Sequence, residues 1–100
     1  MTREKIVDVE DGKIVSSLWL YTVRLPSRYL GVIEEVWTDE FYRRQGRATR
    51  LIARAIECAR LVGCSCVELT VREDRPDLQA FYNSLGFVDR KNRCMRLQLI

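Results

Sequence analysis

The stretch Leu30-Gly-Val-Ile-Glu-Glu-Val-Trp-Thr-Asp-Glu-Phe-Tyr-Arg-Arg-Gln-Gly-Arg-Ala-Thr-Arg-Leu51 changes its hydrophobic period halfway along. Leu30 to Thr38 alternates, with Val32, Glu34, Val36 and Thr38 on one face and Ile33, Glu35 and Trp37 on the other, as a strand does. From Arg47 onward apolar residues fall at Ala48, Leu51, Ile52, Ala55, Ile56, Ala59 and Val62, the spacing of an amphipathic helix, with Arg47, Arg50, Arg54 and Glu57 on its other side and Gly63 placed to end it. The join is therefore a strand end, a short loop, and a helix that starts at or near Gly46. The first amides of a helix have no internal partner and carry partial positive charge. Gly46 lets backbone approach a ligand, Ala48 keeps the next turn small, and Arg43, Arg44 and Arg47 add full charges. Positive side chains oppose the dipole there, so three of them suit a site that an anion, most naturally a pyrophosphate, neutralises. The segment is not a Walker loop, since no Gly-Lys-Ser/Thr follows, and it is not a Gly-x-Gly-x-x-Gly turn.

Upstream, Lys5 to Glu10 alternates as a strand, Asp11-Gly12 is a hairpin turn, and Lys13 to Leu25 is the returning strand, broken by Pro26-Ser27-Arg28. Downstream, Ser65 to Val71 is a β-branched strand and Arg72 to Pro76 a loop and helix start. Leu78, Phe81, Tyr82 and Leu85 mark a short helix closed by Gly86. Phe87 to Arg90 and Cys94 to Ile100 read as two last strands around a Lys91-Asn92 turn. The order β-β-β-α-β-α-β-β predicts a mixed α/β (α+β) domain spanning residues 1–100, with a sheet of about six strands, a central parallel β-α-β unit and antiparallel outer hairpins.

Composition narrows the chemistry. One hundred residues, 47% hydrophobic and 31% charged, suit one globular domain rather than a disordered or repetitive chain. No apolar run approaches the ~18 residues of a membrane span, and no signal peptide is visible, so a cytoplasmic protein is expected. The absence of histidine removes His-based triads and general bases. Cys58, Cys64, Cys66 and Cys94 are expected to be buried structural thiols, with Cys64 and Cys66 on one face of a strand, and no metal site is expected. The net charge of +3 is unevenly spread: residues 1–40 hold five basic and eight acidic groups, whereas residues 41–60 hold six arginines against Glu57 alone. Arginine is the better bidentate phosphate ligand. The arginines lack interleaved aromatics, so a nucleic-acid partner is not expected.

Arg43-x-x-Gly46-x-Ala48 resembles the acetyl-CoA signature, Gln/Arg-x-x-Gly-x-Gly/Ala, of the GNAT superfamily of N-acetyltransferases. Ile33 to Asp39 is similar to that family's fourth strand. Ala80-Phe-Tyr-Asn-Ser-Leu-Gly-Phe87 resembles its second motif, a tyrosine followed four residues later by Gly-Phe. The resemblance covers roughly residues 10–100. It implies acetyl-CoA as cofactor, with the diphosphate of coenzyme A on the backbone of Arg43, Arg44, Gln45, Gly46, Arg47 and Ala48, continuing to Thr49. The pantetheine arm would pair with the backbone of Val36 and Thr38 and slot between that strand and Ser65–Val71. An amide near Val36 or Trp37 would hold the oxyanion, and Tyr82 would protonate the departing thiolate. The amine must first lose a proton, usually to a carboxylate or a carboxylate-ordered water, and Glu34 or Glu35 beside the cleft is the candidate, Glu34 first.

Three departures accompany the resemblance. Asp77 stands where the family commonly has a pantetheine-contacting Asn. Ala48 replaces the second glycine. The family's first strand and two following helices, which wall the acceptor pocket, have no counterpart in these residues. A large acceptor such as a protein lysine or N-terminus, or a second copy of the chain in a homodimer, would suit an open wall. The expectation is thus an acetyltransferase acting on a primary amine by direct transfer, with protein lysine or N-terminus favoured over a small amine or amino sugar. The contrasting reading is a non-catalytic acyl-CoA-binding or partner-inhibiting module.

Overall fold

The computed structural model describes residues 1–100, in two compact units, Met1–Thr70 and Val71–Ile100. The first contains β1 (Thr2–Glu10), β2 (Lys13–Arg24), β3 (Tyr29–Thr38), a 3₁₀ turn (Glu40–Tyr42), α1 (Arg47–Val62) and β4 (Cys64–Glu68). The second contains α2 (Pro76–Ser84).

The four strands form one sheet in sequence order. β1 and β2 are antiparallel around Asp11-Gly12, both in the left-handed region (φ 50° and 76°), which is the hairpin geometry that Asp-Gly favours. β2 and β3 are antiparallel around Pro26, and the turn is closed by reciprocal backbone bonds between Leu25 and Arg28 (2.7 and 3.3 Å). β4 returns parallel to β3 after α1, as the β-α-β reading requires.

One face of the sheet packs on α1. Ile6, Leu18, Leu20 and Ile33 meet Leu51, Ile52, Ala55 and Ala59, all buried. Each large aliphatic side chain so placed contributes roughly 1.5–3 kcal/mol. The helical stripe fades towards the end of α1, where Val62 is exposed together with Leu61. Gly63 then terminates the helix in the left-handed conformation, its N–H donating to the carbonyls of Ala59 and Arg60.

The sheet has four strands, not the six the pattern suggested. Residues 87–100 form no ladder, and Val88, Met95, Leu97, Leu99 and Ile100 are exposed. Alternation marks a potential face, but a strand exists only where a second backbone satisfies its N–H and C=O groups. β4 likewise stops at Glu68 instead of Val71, because its pairing with β3 ends at Val32↔Glu68.

The thiols also differ from expectation. All four cysteines are free; Cys66 and Cys94 are exposed and Cys58 and Cys64 half-buried. Burial and the neighbouring Cys66 push the Cys64 thiol above its usual value.

Gly31 sets how closely helix and sheet approach. A Cβ there would lie 3.2 Å from Val67 Cγ2 and 3.4 Å from Ala59 Cβ. Gly31→Val should therefore destabilise the fold by about 1–3 kcal/mol through overpacking, even though valine suits a strand. Urea titration checks this: the midpoint should fall with an unchanged slope, and an unchanged midpoint would show that the helix has room to move.

Candidate functional site

β3 leads a double life along its length. From Tyr29 to Val32 it pairs on both sides, with β2 and β4. From Ile33 to Thr38 only β2 pairs with it, so the edge that faced β4 is open. The register with β2 slips between Ser17 and Trp19: Ser17 opposes Trp37 but Trp19 opposes Glu34, which leaves one extra residue on β3. Glu35 sits in that bulge at φ 54°, a costly conformation for a residue with a Cβ.

The bulge corrects the expected grouping of faces. Cross-strand partners share a face, so Glu34 lies with Trp19, and Trp37 with Ser17, on the side of the sheet away from α1. Glu34 therefore shares its side with Trp37 rather than with Val36. Both Glu34 and Glu35 are exposed.

After the bulge the strand is anchored by a residue that hydrophobic patterning passed over. Ser16 is fully buried; its hydroxyl donates to the Trp37 carbonyl (2.9 Å) and pairs with Thr38 Oγ1 (2.8 Å). The only sequence signal was a pair of serines, Ser16-Ser17, in the middle of a strand rich in apolar residues. The next residue, Asp39, donates its N–H to Val15 O (2.8 Å), and its carboxylate caps the 3₁₀ turn at Phe41 N (3.0 Å).

The loop from Arg43 to Gly46 then turns the chain into α1. Arg43 is extended, and Arg44 (φ 62°) and Gly46 (φ 75°) are left-handed. No side chain caps α1, and the first amide to donate into the helix backbone is that of Arg50, to Gly46 O (3.1 Å). The amides of the turn and of Arg47, Ala48 and Thr49 thus form an uncapped helix N-terminus, with left-handed residues curving the backbone before it. A Cβ on Gly46 would touch no atom of the protein within 4 Å, so internal packing does not dictate this glycine; its positive φ and the space outside it do.

The arginines divide into two groups. Arg47 is bonded to Asp8 (3.0 Å) and Glu10 (2.9 Å), lies over the Tyr42 ring (5.0 Å) and donates to Gln45 Oε1 (3.0 Å). Its charge is neutralised by β1, and its side chain is only 11% exposed. Arg50 joins it on Asp8 (3.3 Å), and Arg54 reaches Val7 O. Carboxylates from the acidic N-terminal half therefore supply much of the compensation that the cluster called for. Arg43 and Arg44 remain exposed without a carboxylate partner, and Arg43 Nε bonds the Thr38 carbonyl (3.3 Å).

Val36, Trp37, Thr38 and Arg43 to Thr49 are consecutive features of the first unit, whereas Asp77 and Tyr82 belong to the second. Tyr82 is buried, with its ring edge-on to Phe81 (5.1 Å) and Phe87 (5.9 Å). Burial raises its phenol above the usual value of 10.0, so it keeps its proton at neutral pH. Asp77 opens α2 beside Pro76 and is gripped by Arg75 through two bonds (3.1 and 3.0 Å); that hydrogen bonding holds its carboxyl below the usual range. No group of three acidic, His or Cys side chains forms a metal site, and no helix is long and apolar enough to cross a membrane.

Known proteins resemble this chain both in sequence and in fold. The acetyltransferase (GNAT) family model matches residues 3–87. The chain belongs to that family. An N-acetyltransferase of Methanocaldococcus jannaschii, described as uncharacterised, is 33% identical over 73 residues, covering 73% of this chain and 31% of the relative. Among solved structures, an acetyltransferase of Trypanosoma brucei is 33% identical with a TM-score of 0.87, covering 97% of this chain and 69% of its own. A transcriptional regulator from Bacillus halodurans is 30% identical with a TM-score of 0.89, covering 97% and 66%. The chain thus spans about a third of the archaeal relative and two-thirds of the bacterial structure.

The clamp of β1 on α1 has an acid limit. Burial pushes the Asp8 carboxyl up, but the hydrogen bonds and charges of Arg47 and Arg50 outweigh it and hold the group below its ordinary value. An aspartate lowered in the folded state adds stability above its unfolded pKa of about 3.9, and that stability disappears as pH falls through the lower folded value. Urea midpoints should therefore drop more steeply below about pH 4 for the wild type than for Asp8→Asn. Parallel curves would mean that the clamp adds nothing to stability.

Proposed function

We propose that the chain is an acetyl-CoA-dependent N-acetyltransferase, working as one domain that passes an acetyl group directly to a primary amine. The observation that carries this reading is the uncapped turn from Arg43 to Thr49, set at the end of a strand whose adjoining edge is open. A diphosphate would sit in the turn: its oxygens would accept from the amides of Arg43 to Thr49, and Arg43 and Arg44 would balance its charge. Arg47 would contribute its amide, since its guanidinium is spent on Asp8 and Glu10.

The pantetheine arm would run along the open edge beside Val36, Trp37 and Thr38. Glu34 or Glu35 would take the proton of the incoming ammonium, directly or through water, and the freed nitrogen would attack the thioester carbonyl. An amide near Val36 or Trp37 would hold the oxyanion as the C–S bond breaks. The Tyr82 hydroxyl would protonate the thiolate as it leaves. Its raised pKa supports that role, since a phenol that stays neutral can donate. Asp77 would reach the arm only by sharing its carboxylate with Arg75.

Protein lysine or a protein N-terminus is the favoured acceptor, ahead of a small amine or amino sugar, because both candidate carboxylates are exposed. A second copy could complete the acceptor side, in which case the gel-filtration mass should rise with concentration. The rival reading, a module that binds acyl-CoA without turning it over, differs in one measurement: thiol release with an amine panel.

Two substitutions test the assignment. Asp tolerates a left-handed backbone, and the space outside Gly46 is free, so Gly46→Asp should fold yet lose coenzyme A binding by calorimetry, because its charge lies against the diphosphate. Tyr82→Phe keeps the ring packing on Phe81 and Phe87 and should lower kcat about 10²- to 10⁴-fold with little change in cofactor affinity. Unaltered turnover in Tyr82→Phe would pass the acid role to another group. Undiminished coenzyme A affinity in Gly46→Asp would remove the turn as its site.

A further inference from the structure

We infer that Ser16 is a positioning residue, whose buried hydroxyl aims the Thr38 amide into the open edge of β3 as the hydrogen-bond donor for a carbonyl of the bound acyl carrier. This inference rests on the coenzyme A reading above.

In a trans peptide the C=O and the N–H point in opposite directions. The Trp37 carbonyl is held on the β2 side by the Ser16 hydroxyl (2.9 Å), so the N–H of the same peptide, that of Thr38, points away from β2. The following peptide is fixed the other way round. Asp39 N–H donates to Val15 O on β2 (2.8 Å), which turns the Thr38 carbonyl outward to where Arg43 Nε meets it (3.3 Å). Both backbone groups of Thr38 therefore face the edge that β4 abandons after Val32. The acceptor is taken by Arg43, and the donor is left for a ligand. An unpaired N–H beside the anion turn is placed to donate to a carbonyl oxygen of an extended arm that leaves a diphosphate held in the turn.

The bulge explains why a side chain is needed. Just past Glu35 the ladder resumes with only Ser17↔Trp37 and Ser16↔Thr38. So short a stretch would twist readily, and the bulge itself is strained. Ser16 ties both residues of that stretch, Trp37 through its carbonyl and Thr38 through its hydroxyl, from a position with no exposure to solvent. A fully buried serine among Val15 and Leu18 is accounted for by these two bonds.

Amide exchange on the wild type and calorimetry on variants test the assignment. The Thr38 amide should exchange quickly in the free protein and become protected when coenzyme A is added. Ser16→Ala should weaken coenzyme A about three- to tenfold, as losing one orienting hydrogen bond does. It should raise KM for acetyl-CoA while leaving KM for the amine unchanged. Thr22→Val removes another buried hydroxyl of β2, the partner of Thr2 Oγ1, far along the strand from the bulge, and should leave coenzyme A affinity intact. Equal losses in both variants would reduce Ser16 to a structural residue, and a Thr38 amide indifferent to coenzyme A would overturn the inference alone. A wild-type chain without coenzyme A affinity would instead take down the functional reading and this inference with it.

Discussion

The backbone of β3 obeys two demands in succession. Up to Val32 it is an interior strand whose polar groups are consumed on both sides; beyond Val32 it is an edge. Buried N–H and C=O groups must find partners, so such an edge is either covered, left to water or offered to a ligand. The other features of the site follow from that divergence. Glu35 bends the strand, Ser16 and Val15 hold the far end to β2, and Asp39 starts the turn that delivers Gly46 to the helix. The packing of α1 on the sheet, set by the absent side chain of Gly31, then fixes where the uncapped amides stand.

Electrostatics refine this picture. A run of arginines at a helix N-terminus is unfavourable by itself, because the charges repel one another and oppose the helix dipole. The fold resolves most of the conflict internally: Asp8 and Glu10 on β1 reach the first and second turns of α1, and the Arg47 guanidinium ends nearly enclosed. A compact ion-pair cluster of this kind orients a helix more than it stabilises it, since partly desolvated charges recover only part of what they lose on leaving water. What remains unpaired is a smaller positive site, Arg43 and Arg44, placed beside the free amides rather than spread along the helix.

In the second unit one burial sets both packing and protonation. Tyr82 is an aromatic core residue there, packed between Phe81 and Phe87, and the same burial that makes it structural keeps its phenol protonated. Asp77 reads differently: its carboxylate opens α2 and pairs with Arg75, which accounts for it without any ligand.

Much of the molecule was legible in the residue order. The switch from period two to period 3.6 between Thr38 and Arg47, the Asp11-Gly12 hairpin and the glycine ending α1 are local signals, and the structure keeps each of them. The Arg43-x-x-Gly46-x-Ala48 motif pointed to the family for the same reason, since a helix N-terminus is made by a few adjacent residues. Partnership was not legible. Which strand loses its neighbour after Val32, why residues 87–100 form no strand ladder despite their alternation, where one extra residue enters at Glu35, and which carboxylates claim Arg47 all depend on chain segments distant in sequence. Local pattern specifies what each segment can form. Only the assembled sheet decides which backbone groups are consumed and which remain for a ligand, because a hydrogen bond or an ion pair needs its second member in place.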